Sequence, residues 1–185
     1  MKNVIHFFGA SGSGTSTLGK AICTKSHFTF MDTDDYLWMP TDPKYTVKRD
    51  ANERIAMMQH DIKAANHVVI AGSLVGWGDV LISEFTLAVR LVVPTEIRIN
   101  RLRKREFERF GERILPGGDM YDQHLSFLKW AEEYDSGNVV RSKRSHDLWQ
   151  KKLACKQLTL DGTLPVEDLT DLVLQTILKK PSIEK

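Results

Sequence analysis

Nine residues, GASGSGTST at positions 9 to 17, constrain this chain more than any other stretch. They follow the apolar run Val4, Ile5, His6, Phe7, Phe8 and precede a segment of helical period from Ser16 to Lys25. Glycines at 9, 12 and 14 let the backbone turn tightly, so that successive amides and the start of the next helix point at one anion. Strand, glycine turn and helix in that order separate a phosphate-binding loop from a Gly/Ser-rich turn after an edge strand. Gly9, Ser11, Gly12, Ser13, Gly14, Thr15, Ser16 and Thr17 are therefore candidate nucleotide contacts, and the Ser16 hydroxyl is placed to ligand Mg²⁺.

One position departs from the GxxxxGK[ST] pattern, because Thr15 stands where a lysine belongs. A lysine there reaches the β- and γ-phosphates, whereas threonine offers only a neutral hydroxyl. The cradle is kept and the cation is lost. Lys20 lies about one helical turn further on and is expected to point away from the phosphates.

Positive charge must then be supplied locally, since 26 basic residues against 24 acidic ones leave a net charge of only +2. Such a balance favours neither nucleic acid nor an anionic membrane as partner. A length of 185 residues with 42% hydrophobic content predicts one domain over 1–185. Cys23 and Cys155 are too sparse for a disulfide framework, which predicts a reduced, cytoplasmic setting. The first apolar run is too brief for a signal-peptide core or a membrane span. A monomer and a homodimer both fit.

Short apolar runs alternate with longer segments of helical period, the pattern of an α/β chain whose parallel sheet is covered on both faces. Strands are expected at Asn3–Phe8, Phe28–Asp32, His67–Ala71, Leu87–Val93 and Gln157–Leu160. Between them, Lys48 to Ala65 places Ile55, Met58 and Ile62 on one helical stripe. Thr95 is expected to cap a helix to Phe110, and Asp119 one running through Phe127 and Trp130 to about Tyr134. The last helix is expected from Pro165 to Lys179 and Lys180, burying Val166, Leu169, Val173 and Ile177, with a frayed tail from Pro181.

Ligands of parallel α/β sheets bind at the carboxyl ends of strands, where the second strand ends in Asp32, Thr33, Asp34, Asp35. Asp32 can hold Mg²⁺ or orient an attacking hydroxyl, and Asp34 can hold acceptor hydroxyls. A helix N-cap or an acidic surface turn would read the same way. Downstream, Trp38, Tyr45, Lys48 and Arg49 suit either an acceptor pocket or an ordinary loop, with Arg49 favoured for its guanidinium fork. This makes about 34–66 the expected acceptor region. Gly72 and Ser73 end the third strand and join the candidate substrate contacts, where GSLVGWGD lets backbone approach a ligand closely.

From Arg98 the chain reads RINRLRKREFERFGERILPGGDMY, in which Arg101, Arg105 and Arg109 recur every four residues on one helix face. A solvated, charge-laced helix is the ordinary explanation of such a run. Beside a phosphate loop the same face can stabilise a transferring phosphoryl group, which makes Arg105 and Arg109 catalytic candidates with Asp32. Pro116, Gly117 and Gly118 supply hinge residues for a lid over about 105–140. His124, Trp130, Tyr134, Arg141, His146 and Trp149 are expected in helices beside the lid as core or surface residues.

GASGSGTST, DTDD, the glycine loop after strand three, RLRKRE and LDG together resemble the nucleoside-monophosphate-kinase and shikimate-kinase group of P-loop kinases over essentially the whole chain. The chain is also similar to bacterial proteins labelled adenylate-kinase-like or AAA-type ATPases that share GSGTST, GWGD, RFG and PGGDMY. The resemblance implies a three-layer αβα P-loop NTPase fold with strand order 2-3-1-4-5, ATP or ADP and Mg²⁺ as cofactors, and a helical lid. It further implies Arg101 near the adenine, Arg105 nearer the phosphates, and Asp161 to Pro165 bordering the base. GSLVGWGD stands where adenylate kinases carry a DGFPR-type sequence for AMP. The expected function is transfer of the ATP γ-phosphoryl group to a small molecule or nucleotide, and the alternative is an ADP/ATP sensor without turnover, which the loss of the lysine favours.

Overall fold

The computed structural model of the chain describes residues 2–137 and 139–178. The strands are β1 (Val4–Gly9), β2 (Thr29–Asp32), β3 (Val68–Ala71), β4 (Leu87–Val92) and β5 (Lys156–Asp161), with apolar residues dominating the central three, β3, β1 and β4. All neighbouring strands pair in parallel, in the order β2-β3-β1-β4-β5. The helices are α1 (Thr15–Lys25), α2 (Thr33–Leu37), α3 (Ala51–Ala64), α4 (Thr95–Phe110), α5 (Tyr121–Glu132), α6 (Lys143–Gln150) and α7 (Val166–Leu178).

Strand side chains alternate between faces, and that alternation builds two cores. Ile5, Phe7, Val69, Val89 and Leu91 face α1 and α7, meeting Leu18, Ile22, Leu169 and Val173. Val4, Phe8, Val68, Ile70 and Ala88 face the other layer, where Tyr36, Met58, Ile62 and Trp149 arrive from α2, α3 and α6. Each such fully buried side chain stabilises by roughly 1.5–3 kcal/mol. A third cluster joins Ile99 and Leu102 of α4 to Leu128 and Ala131 of α5, and thereby holds a helical lid together. Among the described residues no helix is long and apolar enough to cross a membrane, and Cys23 and Cys155 are free thiols.

Several boundaries differ from those expected. The third helix starts at Ala51, not Lys48, because the Asp50 carboxylate accepts from the amides of Asn52 and Glu53. Lys48 pairs instead with Trp38 in an isolated antiparallel bridge. Thr95 does not cap α4: Pro94 holds that position, and the Thr95 hydroxyl donates to Asp135 while accepting from Arg98. Asp119 does not cap α5, since Arg113 holds its carboxylate at 2.9 and 2.6 Å and the helix begins at Tyr121. Of the two ordinary readings of the acidic run after β2, the structure shows the helix N-cap: Asp32 caps α2. Tyr134 lies just beyond α5, and Arg141 sits in a turn before α6 instead of in a helix. Lys179, Lys180 and the tail from Pro181 lie outside the described residues.

Candidate functional site

The chain runs from β1 to β2 on one side of the sheet, returns through β3 beside β1, and continues to β4 on the other side of β1, so a crevice opens at the carboxyl end of β1. A cavity of about 1140 Å³ fills it, reaching from the glycine loop across β2 and β3 to the lid. Seven basic side chains and four acidic ones line it, so an anionic ligand is favoured there although the whole chain is nearly neutral.

The floor is backbone. Gly12 has φ +81°, and a Cβ there would stand 2.6 Å from the Arg98 carbonyl oxygen, so only glycine fits. Gly14, at φ 98°, starts α1 with no side-chain cap, leaving first-turn amides free for a ligand. The Ser13 hydroxyl is buried without a protein partner. An orphaned polar group inside a ring of amides is what a phosphate-binding cradle would leave when described alone. Ser11, Thr15, Ser16 and Thr17 line the same cavity.

Arg98 fixes this floor from below. Fully buried, it donates to the carbonyls of Val93, Ser11 and Ala131, to the Thr95 hydroxyl and to Asp135. It thus ties the glycine loop to the lid helix α5. Sequence reasoning missed it. The signal was its place on one stripe with Leu102 and Glu106, four and eight residues on, a face that is otherwise buried.

At the end of β2 one carboxylate does two jobs. Asp32 Oδ1 accepts from the Asp34 amide at 3.1 Å and Oδ2 from the Ser16 hydroxyl at 3.0 Å. Ser16 and Asp32 thus present two hard oxygens together, a donor set that fits Mg²⁺, which takes few protein oxygens and completes its shell with phosphates and water. Asp34 lines the cavity, exposed to solvent but crowded by the walls around it. Burial first, and then the charge of Asp32, push its carboxyl above the usual range, opposed by Arg141 and Arg105. A carboxylate tuned upward in a cleft is suited to take a proton from a hydroxyl.

The arginines divide. Arg101 lies over the glycine loop, its Nη1 about 4.0 Å from where a Gly14 Cβ would stand, and donates to the Gly162 carbonyl at 3.0 Å. Arg105 is held by the buried Glu106 carboxylate at 3.1 Å and faces Asp34. Arg109 reaches the Tyr45 hydroxyl at 3.4 Å, across the cavity mouth. Arg49 is not in the lining: its guanidinium donates to Glu53 and to the Tyr36 carbonyl.

Two other arginines occupy the acceptor side. Arg54, one turn along α3, stacks 4.8 Å over Trp77 and keeps a buried Nε without a partner. Arg141 is desolvated, which lowers its pKa, while the charge of Asp34 opposes that shift. Lys20, expected to point away, reaches the cavity rim above Phe30. Gly72 and Ser73 line the wall, although the need for glycine at 72 is set by Thr33, whose hydroxyl would meet a Cβ at 1.9 Å.

No protein-family profile matches the chain. It is 42% identical over 175 residues to the uncharacterized protein YqaC of Bacillus subtilis (strain 168), covering 94% of this chain and 97% of that one. A shikimate kinase from Bacteroides thetaiotaomicron superposes with a TM-score of 0.59 at 16% identity, over 95% of this chain and 98% of the other. Deoxyadenosine kinase from M. mycoides with bound dATP gives 0.59 at 16% identity, over 97% and 100%. A sugar kinase from Janibacter sp. HTCC2649 gives 0.55 at 16%, over 100% and 99%. At these identities the likeness shows the fold: a P-loop kinase fold with a helical lid.

Proposed function

The chain belongs to the family of Bacillus subtilis YqaC, and we propose that it is an ATP-dependent phosphotransferase acting on a hydroxyl of a small, anionic acceptor. The observation that carries this reading is the position of Asp34, which lines the same cavity as an intact glycine loop with Arg105 and Arg141 near enough for their charges to act on it. The kinase neighbours support a phosphotransferase of this general kind.

The loop amides from Gly9 to Thr17 hold the nucleotide phosphates, and the loop from Asp161 borders the base. Ser16 and Asp32 would hold Mg²⁺, which when bound supplies positive charge to the phosphate oxygens. Asp34 takes the proton of the acceptor hydroxyl as its oxygen bonds to the γ-phosphorus. The bond from that phosphorus to the bridging oxygen breaks, and ADP keeps the electron pair. Arg101 and Arg105 supply the charge that Thr15 does not, since Arg101 lies over the loop and the charge of Arg105 acts on Asp34 in the same cavity. Arg54 and Arg141 hold the acceptor's anionic group, in the role expected of Arg49.

A second reading, a nucleotide sensor that binds ADP or ATP without turnover, is favoured by Thr15 alone. Radiolabelled γ-phosphate transfer from ATP, screened over hydroxy acids, sugar phosphates and nucleotides, separates the two. Transfer to at least one anionic, hydroxylated compound is expected. ADP binding by calorimetry with no transfer across the panel would establish the sensor, and no binding of either nucleotide would sink both.

A further inference from the structure

The stretch of cavity wall formed by Ser73 is backed by a line of polar groups that phosphoryl transfer as described does not use. Arg90 on β4 is 8% exposed, and its Nη2 lies 3.4 Å from the Tyr134 hydroxyl. That hydroxyl is 2.8 Å from His146 Nδ1, and His146 Nε2 is 2.8 Å from the Ser73 hydroxyl. Tyr134 and His146 are buried, while Ser73 forms cavity wall. We propose that Ser73 is a specificity-determining hydrogen-bond donor to an oxyanion of the acceptor, and that the relay behind it fixes the direction in which its proton points.

The direction follows from the one group that cannot reverse. A guanidinium has donors only, so the Tyr134 oxygen accepts from Arg90 and its own proton goes to His146 Nδ1. Burial, and after it the charges of Arg90, His6 and Arg141, lower the His146 pKa to about 3, with only Asp147 opposing, so the ring is neutral. A neutral imidazole that accepts at Nδ1 carries its proton on Nε2 and donates it to Ser73. The Val75 amide donates to the same oxygen at 3.4 Å. Ser73 Oγ thus accepts twice from the protein, and its remaining hydrogen is left for the cavity. Were the relay reversed, the phenol hydrogen would point at a guanidinium, and among the described residues it has no other acceptor in reach.

A fixed donor beside Arg54 and Arg141 selects an oxygen that only accepts, in a carboxylate or a phosphate, and disfavours an amine or ammonium there. The inference rests on the proposed transfer for the identity of the ligand, but the relay itself does not. Nitrogen-15 spectra of histidine-labelled protein without nucleotide, at neutral pH, are expected to show His146 protonated at Nε2 and bare at Nδ1. A proton on Nδ1 would overturn the relay. In protein saturated with ADP, so that the glycine loop is occupied, titration with inorganic phosphate and with acetate should perturb the Nε2–H signal. The better of the two identifies the oxyanion, and no response to either would overturn the donor role. Ser73→Ala should weaken that binding about tenfold, and Ser73→Thr should restore most of it. Tyr134→Phe should shift the His146 tautomer while ADP affinity stays the same. Unchanged anion affinity in Ser73→Ala overturns the proposal, whereas loss of ADP binding in the wild type overturns the nucleotide reading instead.

Discussion

The two sides of the cavity are made of different material. The donor side is backbone: amides of one continuous loop, shaped by Gly12 and Gly14 and buttressed by Arg98 from below. The acceptor side is side chain, with Asp34, Arg54, Ser73 and Arg141 arriving from four separate segments. A backbone cradle recognises what every nucleotide shares, and it cannot be altered without altering the fold. A side-chain wall can be rebuilt residue by residue, which suits it to set the acceptor. Damage to the first should therefore reduce stability and nucleotide affinity together, and damage to the second should reduce acceptor binding or turnover while nucleotide affinity stays the same.

The sharpest test of that division is Asp34→Asn. Loss of a positioned proton acceptor should lower turnover about 10²–10⁴-fold, with ADP affinity unchanged by calorimetry. In the wild type, the same residue should make turnover fall on the acid side at a pH above the ordinary carboxylate range, because Asp34 must be ionised to act and its pKa is raised. A matching loss of ADP affinity would show that the two sides are not separate.

Arg98→Leu probes the donor side. It strips the carbonyls of Val93, Ser11 and Ala131 of a buried partner, and unfolding in urea should reveal a loss of about 3–5 kcal/mol. ADP affinity should fall with it, since Ser11 and Gly12 rest on this residue. Normal affinity in the folded variant would mean that the loop holds its shape unaided.

Stability should also depend on pH through two rings behind the acceptor wall. Folding lowers His6 to about 4 and His146 to about 3, chiefly through burial. Both stay neutral when folded, so below about pH 6.5 the unfolded chain binds more protons. The stabilisation is complete above that pH and is lost as pH falls toward the folded values. Between pH 7.5 and 5.5 the two rings together should cost on the order of 3 kcal/mol of unfolding free energy. A flat profile would show the rings to be hydrated or charged in the native state.

The smallest effect is expected at the mouth, where Arg113 pairs with Asp42 and Asp119 in solvent. Arg113→Ala should leave stability unchanged within error, because exposed pairs are screened. Any change should appear in nucleotide release, measured by stopped flow, since Asp42 belongs to the acceptor-side loop and Arg113 to the lid.

By itself, the sequence determined the parts whose signals are local. Alternating strands and helices, the glycine loop, the Ser16 and Asp32 donors and the arginine face of α4 are all spacings within one or two elements, and the residues named for them line one cavity. Local spacing also misled: Thr95 and Asp119 have cap chemistry, but nearby arginines claim their side chains. The choice between two nearby arginines, one just before α3 and one in its first turn, lay beyond it. Arg49 and Arg54 look alike in sequence, and only the docking of α3 turns Arg54 onto Trp77 while Glu53 engages Arg49. Tertiary structure alone brought His146 to Ser73, 73 residues away, and Arg141 to Asp34. Periodicity reports which face an element buries; which side chains from distant elements meet at one sheet end depends on how the layers pack, and no local pattern carries that.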